Sequence, residues 1–189
     1  MSVNRRRLVL LLPALAALGA CSAPVRSPAP VGVRQVLQWQ SWVDPKLQGQ
    51  IALGQVTGGD APATGMLKKT LAWFWGTPAD TAVLSDGLED QLRALSLLAA
   101  LPGQGRFALD AKLLQLDAGG LVLGAEAQSQ VLYTLREGDK VVYQRRVRAQ
   151  AQTGWGDHVL GSDRQRLAKE AAIKESLRLL ALDLVTLRV

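Results

Sequence analysis

Between Phe107 and Gln152 the chain alternates apolar and polar residues over three successive stretches, and few folds accept that pattern. Phe107, Leu109, Ala111 and Leu113 alternate with Ala108, Asp110 and Lys112. Leu121 to Arg136 follows, with Leu123, Ala125, Ala127, Val131, Tyr133 and Leu135 on one face and Glu126, Gln128, Gln130, Thr134 and Arg136 on the other. Val141, Tyr143, Val147, Ala149 and Ala151 then alternate with Gln144, Arg146, Arg148, Gln150 and Gln152. Successive strand side chains point to opposite faces, so each stretch reads as a strand with one dry and one wet side. A sheet of that kind is normally antiparallel. Asp117-Ala118-Gly119-Gly120 and Glu137-Gly138-Asp139-Lys140 supply the turns. Leu113-Leu114 breaks the phase, which a bulge explains. Arg145 falls on the dry face and predicts a carboxylate partner, a position at the sheet end, or an anion site.

The dry face needs a cover, and two helical patterns offer one. Thr77-Pro78-Ala79-Asp80 combines a capping threonine, a proline at the first helical position and an acid at the positive helix end. Leu84, Leu88, Leu92, Leu95 and Ala99 then form one apolar stripe, and Pro102-Gly103 ends it. Gly87 costs about 1 kcal/mol there relative to alanine. Ser162-Asp163-Arg164-Gln165 fits a capping box. Behind it Ile173, Leu177, Leu180, Leu184 and Leu187 make a second stripe, with Lys174, Glu175, Arg178 and Asp183 mostly away from it. Lys46 to Val56 reads as a further strand, with Leu47, Ile51 and Leu53 in partial alternation, and Thr57 to Asp60 as its turn. Val36 to Val43 is amphipathic at best. Amphipathic helices and a one-sided sheet bury each other. The expectation is an α+β domain of order β-α-β-β-β-α, an antiparallel four-stranded sheet with both helices on one face.

The N-terminal residues carry an address. Arg5, Arg6 and Arg7 precede an apolar run from Leu8 to Leu18 that is too short to span a bilayer and suits a signal peptide. Leu18-Gly19-Ala20-Cys21 follows, and it resembles a bacterial lipobox, in which the peptidase reads Leu18, Gly19 and Ala20 and the thiolate of Cys21 accepts a diacylglyceryl group. Cys21 is the only cysteine, so neither a disulfide framework nor a cysteine metal site is expected. The reading divides the chain into residues 1–20 as signal peptide, 21–35 as lipidated cysteine and proline-rich tether, and 36–189 as one periplasmic domain. Ser22 stands where enteric bacteria place an aspartate to retain lipoproteins in the inner membrane, so it favours the outer membrane. Removing residues 1–20 takes away three arginines and no acid, lowering the formal charge from +6 to +3. The remaining Lys and Arg are dispersed, which speaks against nucleic acid as a partner.

Chemistry-bearing motifs are few. There is no G-x-S-x-G, Walker A loop, H-E-x-x-H or G-x-G-x-x-G, and no cofactor or metal is expected. His158 and Asp163 have the H-x4-D spacing of glycerolipid acyltransferases, where the histidine is a general base and the aspartate orients it. The other blocks of that family are missing, and Asp163 suits the first turn of a helix by its charge alone. Trp73-Phe74-Trp75 gathers three aromatics in a chain that is 5% aromatic. They fit either a surface for lipid or partner contact or a cap over the core. Trp155, between two glycines, fits a core edge or the mouth of a site.

Leu109 to Leu113, Tyr133-Thr134-Leu135 and Arg166 to Leu177 together resemble small bacterial envelope lipoproteins, related in layout to the auxiliary lipoproteins of ABC-type lipid transport systems. Members often carry asparagine where this chain has Lys169. The resemblance implies a non-catalytic, lipid-anchored component that docks on an envelope transporter or assembly machine, held to the membrane by its acyl chains. A sheet edge is the natural docking place. A periplasmic lipid or acyl-chain carrier is the alternative, and an acyltransferase using His158 and Asp163 is a third.

Overall fold

The structure, a computed structural model, describes residues 33–58, 78–119, 125–153 and 161–189. Seven elements follow one another: α1 (Val33–Trp42), β1 (Ile51–Thr57), α2 (Pro78–Ala94), β2 (Phe107–Gly119), β3 (Ala125–Glu137), β4 (Lys140–Thr153) and α3 (Gly161–Thr186). The strands form one sheet in the order β1-β2-β3-β4. β2, β3 and β4 are an antiparallel meander. Two expectations are corrected here. The sheet is mixed, because β1 lies parallel to β2, and the order of elements gains a helix at its start. The cause of the first is the connection: strands joined through a crossover helix run the same way, whereas a hairpin reverses them.

The bulge expected near Leu113-Leu114 is present, as a register shift between Leu113 and Gln115. A second bulge was not foreseen. β3 and β4 shift register between Leu135 and Arg136, where Leu135 faces Tyr143 and Arg136 faces Val141. The extra residue, Val142, flips the phase, so Val141 is 50% exposed rather than on the dry side.

β1 begins at Ile51, and Leu47 ahead of it is buried in a turn. α2 stops at Ala94 rather than running on to Pro102. Ser96 takes a φ of 57°, and the N–H groups of Ser96 and Leu97 return to the carbonyls of Arg93 and Leu92 at 3.0 and 2.9 Å. This paired closure satisfies two carbonyls at the helix end. It also frees Leu97 to Ala99 to lie along β1. Ile51 donates to Leu97 and Ala99 donates to Ile51, at 3.0 and 2.9 Å.

α3 has 26 residues and spans about 39 Å, close to the length of the 13- and 14-residue strands beneath it. It packs mainly on β3 and β4, while α2 covers β1 and touches α3. Gly87 explains itself here: a Cβ at that position would sit 2.7 Å from Leu177 Cδ1, so the glycine lets the two helices approach. Two clusters fill the dry side. One is built on Leu84, Leu88, Leu92, Leu95, Leu109, Leu135, Leu180 and Leu184 with Phe107 and Tyr133. The other is Ala118, Ala125, Ala127, Ala151, Ala168 and Ala172. Trp39 and Val43 of the α1 region and Leu47 close the first cluster.

Candidate docking site

The expected site residues fall into two groups. Leu18, Gly19, Ala20, Cys21, Trp73, Phe74, Trp75, Trp155 and His158 lie outside the described residues. Asp163 is in the first turn of α3, the place its charge alone predicts. Among the described residues, no group of three His, Cys, Asp or Glu side chains could hold a metal ion, and no helix is long and apolar enough to cross a membrane.

What the fold does place is an edge. β1 lies at one side of the sheet, and its first residues are already paired outward with Leu97 to Ala99. β4 lies at the other side, and among the described residues no strand pairs with its outer edge. Over its 14 residues, every second one turns its N–H and C=O outward. Exposed edges invite strand pairing and are commonly guarded by charge and by bulges. β4 has both, in Arg145, Arg146 and Arg148 and in the bulge at Val142.

The edge is held in place from below. Asp183 of α3 accepts from the Tyr143 hydroxyl at 2.6 Å through Oδ2 and from the Arg145 guanidinium through Oδ1. Arg145 therefore takes the carboxylate partner among the options its sequence position left open. Burial, and then the hydrogen bond to Asp183, push the Tyr143 phenol well above its ordinary range. Further along the same seam, the Ser176 hydroxyl donates to the Ile173 carbonyl at 2.8 Å. Its single hydrogen is then used, so Tyr133 donates to Ser176 at 2.9 Å. Ser129 donates to the Ala172 carbonyl at 2.9 Å. These contacts fix how α3 sits on β3 and β4, and through them how straight the edge stands.

The wet face beside the edge is polar. Gln130 faces Arg148, Leu132 faces Arg146 and Lys112, and Gln128 faces Gln150 and Asp117. Near the other side of the sheet, Asp110 bonds the Gln55 N–H at 2.8 Å and pairs with Arg136 at 2.7 Å. A Cβ on Gly54 would meet Asp110 Oδ1 at 2.2 Å, so only glycine admits that carboxylate. The acid on this part of the face is thus engaged, whereas Arg146 and Arg148 stand exposed at the β4 side.

Charge also selects what can pair with β4. If two copies joined their β4 edges antiparallel with Val147 opposite Val147, Arg146 of each would face Arg148 of the other on the wet side. Like charges directly opposite destabilise a strand pair. A strand carrying carboxylates would meet the reverse situation.

At the rim of the sheet near β1, a cleft of about 550 Å3 is walled by Leu53, Leu98, Ala99, Leu101 and Pro102, with Glu89 and Arg93 among its lining residues. Those two side chains pair with each other at 2.5 Å. Sequence reading expected docking at a sheet edge without saying which strand forms it, and it missed this cleft. The order of elements held the signal for the edge, since a meander after a β-α-β unit leaves its last strand outermost.

No family model matches this chain, and no curated protein matches it. Among solved structures, it is similar to a candidate lipoprotein from Caulobacter crescentus CB15, at 17% identity over 79% of this chain and 93% of that one, with a TM-score of 0.47. A minor lipoprotein from Acinetobacter baumannii matches at 12% identity over 73% and 93%, with a TM-score of 0.44. Protein XCC0632 from Xanthomonas campestris, of family DUF330, matches at 16% identity over 72% and 81%, with a TM-score of 0.45. At TM-scores below 0.5 these likenesses assign neither family nor activity, and none of the three names speaks of a lipid transporter.

Proposed function

We propose that this chain is a lipid-anchored, non-catalytic docking component of the bacterial cell envelope, tethered through Cys21 and engaging a partner protein at β4. The observation that carries the reading is the 14-residue outer strand, unpaired on one side among the described residues and braced by Asp183. Strand addition at such an edge takes its affinity from main-chain hydrogen bonds and its choice of partner from alternate side chains. With Arg146 and Arg148 on the wet side, the favoured partner is an extended segment with carboxylates at alternate positions. A transporter or assembly subunit in the same envelope is the class of protein that would present it, and the outer membrane is the favoured location on the strength of Ser22.

A photo-crosslinking residue placed at Arg148 or Gln150 should capture one envelope protein in living cells, and the same residue at Gln55 should not. A proline at Ala149 should abolish that capture. Equal capture from Gln55, or recovery of this chain alone, would refute docking at β4. Mass spectrometry of the membrane-extracted protein tests the anchor: an intact Met1 with a free Cys21 thiol excludes it, and Cys21→Ser should remain unlipidated.

The cleft near β1 supports a second reading, the carrier of an acyl chain, because its volume falls in the range of small-ligand sites and its walls are largely apolar. Extraction of the purified protein should then release a stoichiometric lipid, and Leu53→Glu should prevent its retention.

A further inference from the structure

The outer edge of β4 is more than a row of peptide groups. An open groove of about 430 Å3 runs beside it, lined by Gln128, Arg148, Ala149 and Gln150 from the sheet and by Glu175 and Leu179 from α3. The bonds between α3 and the sheet show that the helix runs antiparallel to β4. Thr153 reaches the carbonyl of Arg164, Ser129 opposite Ala149 reaches that of Ala172, and Arg145 reaches Asp183. Glu175 and Leu179 therefore lie along the middle of the strand. On its dry side β4 offers only methyl groups at Ala149 and Ala151, and Leu179, packed against the leucine cluster, stays partly open. Glu175 brings no free charge, since its two carboxylate oxygens accept from the Arg178 guanidinium at 2.8 and 2.7 Å. The groove thus has two unlike walls, a cation on the wet side at Arg148 and an apolar side chain on the dry side at Leu179.

A strand added to this edge would alternate its side chains as β4 does. Residues opposite Arg146 and Arg148 would point to the wet side. Residues opposite Val147 and Ala149 would point to the dry side, one strand spacing of about 4.8 Å beyond β4. The second of these would enter the groove beside Leu179. An acyl chain is a poor occupant, because it would leave the outward N–H and C=O groups of β4 covered and unpaired. A second copy is poor too, because Arg146 and Arg148 would oppose their own kind. We propose that the strand accepted by β4 is amphipathic in a fixed sense. It carries carboxylates opposite Arg146 and Arg148 and branched apolar residues at the alternate positions, the one opposite Ala149 lying against Leu179. The proposal rests on docking at β4 and gives α3 a part in it: the arginines read one side of the incoming strand and the helix reads the other.

Two synthetic peptides separate the two halves of this recognition. One alternates valine with glutamate. The other alternates threonine with glutamate, which keeps charge, shape and strand propensity and removes the apolar side. Binding to the full-length protein would be followed by fluorescence anisotropy, and a photo-crosslinking residue at Gln150 would report whether the bound peptide lies at β4. The valine peptide should bind about tenfold more tightly, the ordinary gain from burying one branched apolar side chain. Leu179→Gln, checked by thermal melting for its fold, should erase that difference and leave the threonine peptide bound as before. Equal affinities for two peptides that both crosslink at Gln150 would overturn the proposal and leave docking at β4 standing. A preference for valine that survives in folded Leu179→Gln would overturn it as well. Failure of both peptides to crosslink at Gln150 would remove docking at β4 and this proposal together.

Discussion

The two clusters on the dry side are built on opposite principles. In the leucine cluster, α2, the C-terminal half of α3 and the ends of β2 and β3 meet through large side chains. Fully burying each leucine is worth about 1.5–3 kcal/mol. In the alanine cluster, the N-terminal half of α3 lies against β2, β3 and β4 through single methyl groups. A methyl group buries little, so this half gains elsewhere. Close approach lets the Ser129 hydroxyl reach a helix carbonyl, and Thr153 lies 3.2 Å from the carbonyl oxygen of Arg164. One half is held by volume and the other by proximity.

The contrast predicts opposite sensitivities. Leu180→Ala or Leu92→Ala removes buried volume and should cost about 2–5 kcal/mol, read as a lowered midpoint in urea. The same loss of bulk in the other half is hardly available, since alanine has only one carbon to give. Ala172→Leu is the next largest change: it forces bulk into the seam and should cost about 1–3 kcal/mol, whereas Leu180→Met should cost less than about 1.5. A neutral Ala172→Leu would show that the alanine half has room to spare and would dissolve the contrast. The smallest effect is alkaline. Burial raises the Tyr133 and Tyr143 phenols above their ordinary value of 10.0. A raised folded pKa contributes stability that is complete below the unfolded value and lost as pH rises through it. Unfolding midpoints should therefore fall above about pH 10, and less steeply in Tyr143→Phe, as denaturant titrations across that range would register.

Much of this was legible in the chain, and the failures have physical causes. Period-two alternation placed the dry faces of β2 and β3 correctly because both are long and bury one side only. It failed at Val141, since a bulge leaves no mark in a run, Val141-Val142-Tyr143, that is apolar throughout. The α2 stripe suggested a helix past Leu95, yet Leu97 is buried by a cap rather than by continued helix, and periodicity cannot distinguish the two. The direction of β1 was misread by giving weight to the wet-and-dry pattern of its neighbours over its own connection. Of the candidate site, Arg145 was marked as a charge on the dry face, with a carboxylate partner as one of three options. Asp183 was not identified as that partner, because a contact between β4 and α3 depends on how the helix is laid across the sheet. The free edge followed from topology rather than from any motif.

The parallel placement of β1 has a consequence for how the chain assembles. β3 and β4 meet across a tight turn, with Glu137 opposite Lys140, while Ile51 must wait for Phe107. Closing a long loop costs entropy before any contact repays it, so local pairings form readily and distant ones late. The hairpin and the long helix are expected to set first, with β1 zipping on as the closing step and detaching first under load. During synthesis the β1 segment emerges well before the strand that will shelter it. The chain therefore passes through a stage with an apolar strand segment waiting, and a chaperone that holds such segments would act on residues around Ile51 to Val56.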